Sequence, residues 1–467
     1  MQFNIISNLG VCLKDEGFSL DELVYRLEDL CNKKACPELL AYILAMYDEC
    51  LRILIMKGLV IPVKCPHCGH DHFVLDGTQE RTFSTTVGKA RMPAVQRVKC
   101  RSCRKSFVPL FVICGIDKYQ SKTDGVEKLA LEECVQTSYR RAAKSLTGKT
   151  AITGSKSTFH RWVLETEADE IKVPEDTLAS MPRTDGKPPE PVTVFADGTK
   201  CKAKKDDGTA KQGDIKVMIG IRENGTVFPI GTWTGGESWK SIGKSLEENK
   251  ISFPEGSILL CDGELGLAES LSKVAADHQR CQWHISRDLY YAMNQDGAKV
   301  KNVRPYQKKL WKAMAIELPS ENFEAVSEER KSEIMQQMVD AENAVDKMIR
   351  NIRKRGYLKA ATYLERSRDW MFGYVRRWLA LGIVCPRAST FIERTMRELG
   401  RRVKKLAYGW KEKGLGKITN MLLKIFADEK AWQEYWLKRM NINQAAMLTF
   451  AIDKSATQLI SSQTLGH

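Results

Sequence analysis

The spacing of apolar positions changes several times along this chain, and each change marks a boundary. Residues 1–60 read as a helical segment: Ser19 and Glu22 form an S-x-x-E capping box, and Pro37 opens a second helix that Gly58 can end. A helical pair with two apolar faces predicts packing or self-association. Residues 61–115 turn β-branched between two C-x2-C units. Residues 120–172 read as three helices, GVEKLALEECVQ, SYRRAAKSLTG and SKSTFHRWVLETEADE, the last begun by a Ser/Thr cluster able to cap it. Five prolines between Ile171 and Pro191 predict a linker over 173–191.

From Val192 the period becomes two. VTVFAD alternates as a strand, and DIKVMIGIRENGTVFPIGTWT gives two more around Asn224-Gly225. SWKSIGKSLEENK is helical, SILLCDG is a buried strand, LAESLSKVAA a helix, and HQRCQWH a short run leading into another helix. Residues 305–385 are charged and carry apolar residues at helical spacing, which predicts an all-helical insertion with Trp370, Phe372, Tyr374 and Trp378 on or near its core face. A helix beginning near Ser389, STFIERTMRELGRRVKKLAYGWKEKGLGKITNMLLKIF, fills 386–430, and 431–467 form a helical tail.

Chemistry concentrates at four places. Asp197-Gly198 and Asp262-Gly263 each end an apolar strand, so a sheet would deliver both carboxylates to one edge, a metal site in outline. Cys65, Cys68, Cys100 and Cys103 form two C-x2-C turns at the ends of a hairpin, which predicts a zinc ribbon with a structural Zn2+. Lys156, Ser157, Thr158, His160 and Arg161 occupy the first turns of the third helix, where a helix-turn-helix places its base- and phosphate-reading side chains. Glu393 stands ahead of Arg394, Arg397, Arg401, Arg402, Lys404 and Lys405, a carboxylate beside a basic helical face suited to a metal ligand next to a phosphate track.

Charge agrees with a polyanionic partner: 73 Lys+Arg against 58 Asp+Glu give a formal +15 and a pI near 9.1. No window offers the roughly 18 uncharged apolar residues of a membrane span, and no signal peptide is evident at the start. Fourteen cysteines, four of them in C-x2-C pairs, suit a reducing compartment, so a cytoplasmic, nucleoid-associated location is the expectation.

Taken in order from Val192, three antiparallel strands, helix, strand, helix, strand and helix follow the sequence of a ribonuclease H-like fold, in which the first and fourth strands lie side by side. FADGT, LLCDGE, RCQWH and STFIERTMRELGRR resemble the catalytic signature of DDE transposases of bacterial insertion sequences in the Mutator-like superfamily, and the amino-terminal modules are similar to the DNA-binding regions such enzymes carry. The fold expected is therefore multidomain α/β: helical segment, zinc ribbon, helix-turn-helix, linker, then a ribonuclease H-like catalytic core whose first part is 192–304, with the helical insertion before its last helix. The resemblance implies that Asp197, Asp262 and Glu393 hold Mg2+ or Mn2+, with Cys281 and His284 as the family's C-x2-H element and His284 near the reacting groups. Glu264 and Asp288 are rivals for the third acid, and Asp288 could instead orient His284. It also implies double-stranded DNA, transposon ends and target, as partner, and a homodimer or higher assembly. A DNA-binding regulator or architectural protein without catalysis, or another nuclease of the same fold, stays as the alternative.

Overall fold

The computed structural model describes residues 35–440 except 62, 182–188, 206, 265 and 406–408, together with residues 24, 28, 30 and 31. The capping box expected at Ser19 and Glu22, and the tail beyond 440, lie outside the described residues. Helix α1 (Cys36–Met56) has Pro37 in its first turn and Gly58, at φ +68°, just past its end. Its Leu51 and Ile55 are buried in a small core shared with a long antiparallel hairpin, β1 (Phe73–Thr85) and β2 (Gly88–Cys100). The register runs from Phe73↔Cys100 at the open end to Thr85↔Gly88 at the turn, so both C-x2-C units meet at the open end. A short strand β3 (Ser106–Phe107) and helix α2 (Pro109–Ile113) complete this unit.

Three helices follow, α3 (Asp124–Gln136), α4 (Tyr139–Lys149) and α5 (Lys156–Glu165). Ser138 and Ser155 cap the second and third by accepting from Arg141 N and Thr158 N. Phe159, Trp162 and Val163 bury one face of α5.

The central sheet is mixed and five-stranded: β4 (Thr193–Lys204), β5 (Ala210–Ile221), β6 (Val227–Trp233), β7 (Ile258–Cys261) and β8 (Asp277–Arg280), in the order β6-β5-β4-β7-β8. β4 runs antiparallel to β5 and parallel to β7, so the first and fourth strands are neighbours. Successive side chains on a strand point to opposite faces. Val192, Val194 and Ala196 accordingly enter the core with helix α6 (Trp239–Glu248), while Phe195 joins the other core, with helix α8 (Gln282–Gln295) and the helices after it.

The expected helix LAESLSKVAA is a single turn, α7 (Leu267–Ser270): Gly266 enters it in the left-handed region, and the chain then turns to bury Val274 and Ala275. The insertion is all helical, with α9 (Val300–Met314), α10 (Glu328–Lys354), α11 (Leu358–Arg368) and α12 (Gly373–Leu381). Phe372, Tyr374 and Trp378 are buried in it, but Trp370 stays 41% exposed. Trp370 lies in the turn between α11 and α12, where its carbonyl accepts from Arg280 N and its ring rests 4.8 Å from His278.

The long last helix is broken in two, α13 (Thr390–Val403) and α14 (Glu412–Ala427). Between them Trp410 exchanges backbone bonds with the end of β4, Lys204 N to Trp410 O at 2.7 Å and Trp410 N to Lys202 O at 3.1 Å. Gly409 permits this approach, since a Cβ there would stand 3.1 Å from the Ala203 carbonyl. With helix α15 (Glu429–Arg439), α14 holds the three-helix unit: Lys417 donates to Thr166 O and Asp169, each at 2.6 Å, and Trp432 Nε1 donates to Glu132 at 2.8 Å. No helix among the described residues is long and apolar enough to cross a membrane.

Candidate active site and metal centres

Asp197 and Asp262 follow the paired residues Ala196 and Cys261 on the adjacent parallel strands β4 and β7. Alternation puts both on the face of Phe195 and Leu260, under α8 and α13. Each carboxylate is fixed by a nearby backbone donor, Gly198 N to Asp197 Oδ1 at 2.7 Å and Glu264 N to Asp262 Oδ1 at 3.0 Å. Burial and the neighbouring Asp262 carboxylate push Asp197 up to about 6, against the pull of the Gly198 N–H and His284, and Glu393 adds to the rise. Glu393, in the first turn of α13, therefore acts on the same point in space, although 131 positions separate it from Asp262.

His284 and Cys281 complete the group. Cys281 stands just after β8 at the cap of α8, and His284 is buried one turn on. The donor atoms of Cys281, His284 and Glu393 lie within 4.8 Å of one another, whereas the three carboxylates are not gathered into a shell that small. Ser389 ties the cluster together: its Oγ donates to Glu393 Oε1 at 3.1 Å and lies 3.4 Å from His284 Nδ1 and 3.3 Å from Cys281 Sγ. Burial alone would raise the Cys281 thiol and lower the His284 imidazole. Their mutual contact reverses both, holding the thiol below its ordinary value and the imidazole above. Ser389 is the residue that sequence reading passed over. It stood there only as a helix start, yet a hydroxyl four positions before Glu393 on the same helix faces that carboxylate.

The rivals for the third acid have their own bonds. Glu264 accepts from Trp239 Nε1 at 2.8 Å and leans toward Gly198, whose ideal Cβ would lie 3.8 Å from its Oε2. Asp288 accepts from Arg287 Nε at 2.7 Å, and the ring of His284 meets Ser389 instead. Gly263, at φ +90°, lets Arg280 close over the turn: a Cβ there would stand 1.9 Å from Arg280 Nε. The same guanidinium donates to Ser367 Oγ at 2.6 Å and stacks 4.8 Å over Tyr363, tying the Asp262 turn to the insertion.

A stability consequence follows from Asp197. A carboxyl whose pKa is raised from 3.8 to about 6 on folding disfavours the folded state when ionised, so the cost is absent below about pH 4 and complete above about pH 6. Asp197→Asn is therefore expected to be more stable than the metal-free parent at pH 8, by up to about 3 kcal/mol, seen as a higher melting temperature, and to lose most of that advantage at pH 4. An equal difference in melting temperature at both pH values would contradict it.

The four thiols converge at the open end of the hairpin, Cys65 Sγ 3.7 Å from Cys103 Sγ and Cys68 Sγ 3.6 Å from Cys100 Sγ. A tetrahedron with Zn–S bonds of about 2.3 Å has edges of about 3.8 Å, so the cluster is compatible with zinc. Both C-x2-C turns close alike, Gly69 N to Cys65 O and Arg104 N to Cys100 O, with Gly69 and Arg104 in the left-handed region. Cys68 is pulled down to about 7, first by the His70 N–H and then by the other thiols.

The nucleic-acid candidates divide. Lys156, Ser157, His160 and Arg161 are exposed on α5, while the Thr158 hydroxyl is engaged with the Ser155 cap at 3.0 Å. On α13, Arg394 and Arg397 are exposed, and Arg401 is bound to Glu398 and Gln136 at 2.9 and 3.0 Å. Arg402 does not belong to that face. It is 4% exposed, donates twice to the Cys134 carbonyl at the end of α3, and stacks between Tyr139 and Trp410. A helical repeat read from sequence could not tell that α3 covers this position.

No curated protein matches this chain. In structure it is similar to a chain of the Drosophila P element transposase strand transfer complex, with a TM-score of 0.25 and 12% sequence identity over 76% of this chain and 89% of that one. Residues 190–367, from the start of β4 to the end of α11, match the family described as "Transposase, Mutator family", which supports a transposase domain in this stretch.

Proposed function

We propose that this chain is a DDE transposase of a bacterial insertion sequence, which binds the ends of its element and catalyses divalent-metal-dependent DNA cleavage and strand transfer. One observation carries the reading: inside the stretch that matches the transposase family, one aspartate within β4 and one just past the end of its parallel neighbour β7 lie on one face of the sheet, beneath a helix that begins at Thr390 and carries Glu393 in its first turn. The catalytic core is read as ribonuclease H-like, which the order β6-β5-β4-β7-β8 supports.

The donor set fits hard divalent cations. Mg2+ takes carboxylate oxygens and keeps several waters, and the upward push on Asp197, from burial first and then from the nearby Asp262 carboxylate, is a cost that a bound cation would relieve. Asp197, Asp262 and Glu393 would hold the ions, which supply activation of the attacking oxygen and stabilisation of the leaving one at phosphorus. His284, held by Ser389 and Cys281 beside Glu393, would contact a phosphate oxygen of the reacting strand. The zinc ribbon and α5, with Arg394 and Arg397, supply the duplex contacts, and joining two ends calls for a dimer or larger assembly.

The test is joining in vitro. Purified protein, Mg2+ or Mn2+, DNA carrying the sequences that bracket its reading frame, and a target plasmid should give joined products. Specific binding without any cleavage or joining would instead favour a regulator. Ser389→Ala is expected to lower cleavage about tenfold and to raise the Mg2+ concentration needed for half-maximal rate, because Glu393 loses the donor that orients it. An unchanged Mg2+ dependence would remove Ser389 from that role.

A further inference from the structure

One face of α8 is left uncovered beside the candidate active site. Trp283, Arg287 and Tyr291 follow at steps of four along the helix, so they form one stripe about 12 Å long. Trp283 is 44% exposed and Tyr291 54% exposed, and the Arg287 guanidinium lies 5.2 Å from the Trp283 ring centre. At one end the Trp283 ring meets the ring of His284 edge-on at 4.8 Å. At the other, Tyr291 lines a cavity of about 790 Å³ whose wall also includes Asp262 and, from α11, Lys359 and Arg366. Both of these cations are exposed, and among the described residues neither is paired with a carboxylate.

Resting on the transposase reading above, we infer that this stripe and cavity receive one or two unpaired nucleotides of the DNA end next to the scissile phosphate. Size excludes the duplex itself, since cavities of roughly 300–1,000 Å³ hold a small molecule. Aromatic faces reward a base only when it leaves the stack, and they do so whatever its sequence. Lys359 and Arg366 supply positive charge for a strand's phosphates on the α11 side of the cavity, Arg287 being paired with Asp288, while Asp262, Glu264 and Asp288 elsewhere on its wall put the occupant within reach of the carboxylates of the candidate site. A protein partner would have no use for a cavity floored by a catalytic carboxylate. The stripe therefore selects for ends that open.

The test compares two probes without Mg2+, so that no strand is cut: a fluorescein-labelled blunt duplex, and the same duplex with a three-nucleotide oligothymidine tail. The parent protein should bind the tailed probe about tenfold or more tightly. Trp283→Ala and Tyr291→Ala should each erase most of that preference while leaving the blunt duplex affinity unchanged, and Trp283→Phe should keep it. Equal affinity of the parent for both probes, or a preference that survives both alanine variants, overturns the inference and leaves the transposase reading standing. Failure to bind either probe overturns both.

Discussion

Asp262→Asn is expected to lower DNA cleavage by about a thousandfold or more, with duplex affinity within about threefold of the parent. Asparagine keeps an oxygen for the Glu264 N–H, so the turn after β7 stays formed. What it removes is the charge that, in the proposed reading, would hold a divalent cation against a phosphate under attack. Asp197→Asn should behave in the same way, because the Gly198 N–H still has its acceptor. Glu393→Gln is the sharper case. Its amide oxygen can still accept from Ser389, at 3.1 Å from Glu393 in the parent, so any loss reports the charge and not the fold. Cleavage of labelled element ends in Mg2+, beside binding of the same ends, separates the two effects. A Glu393→Gln protein that cleaves at the parental rate would put the third acid elsewhere, with Glu264, leaning toward Gly198, as the first place to look.

The first two acids were legible in the sequence for a physical reason. Two β-branched runs on neighbouring strands bring together the acids that follow them. The Asp-Gly after Cys261 does end its strand, but β4 runs on through Asp197-Gly198 to Lys204, paired with β5, so Asp197 lies within its strand and not at the end the sequence predicts. The two acids still meet because the parallel pairing of β4 with β7 stops just before them. The pairing of Ala196 with Cys261 is that meeting. The hairpin turns at Asn224-Gly225 and the helix bounds at Pro37 and Gly58 were equally readable, because each depends on backbone geometry within a few residues. What could not be read depends on contacts between distant segments. Arg402 has the spacing of a basic face, and only the arrival of the α3 carboxy terminus turns it inward. The break between α13 and α14 comes from a backbone contact between Trp410 and β4, some two hundred positions away. Ser389 reads only as the start of a helix until Cys281 and His284 are brought beside it by the sheet. Trp370 reads as on or near the core face by helical spacing, but its place in a turn against β8 leaves it partly open.

Removing zinc is expected to unfold residues 63–116 and leave the catalytic core folded. The core of this unit is small: the buried residues of α1, the hairpin and α2 form a cluster separate from the two that flank the central sheet. A unit of this size has too little apolar burial to offset its ordering entropy without a staple. The four thiols stand at the open end of a hairpin whose strands are thirteen residues each, where fraying would begin. Zinc held by four thiolates contributes about 10–16 kcal/mol in small peptides, enough to decide whether that end forms. Protein purified without chelators should carry one zinc per chain by mass spectrometry. Cys100→Ser, or exhaustive chelation, should abolish the slow hydrogen exchange of β1 and β2 while β4, β5 and β7 keep theirs. Binding of element ends should weaken about a hundredfold or more, since Arg101, Arg104 and Lys105 on the second C-x2-C turn lose their fixed positions. Metal-free protein with an intact, slowly exchanging hairpin would show that α1 and the apolar cluster suffice, and the cysteines would then be an unmetallated cluster at the tip.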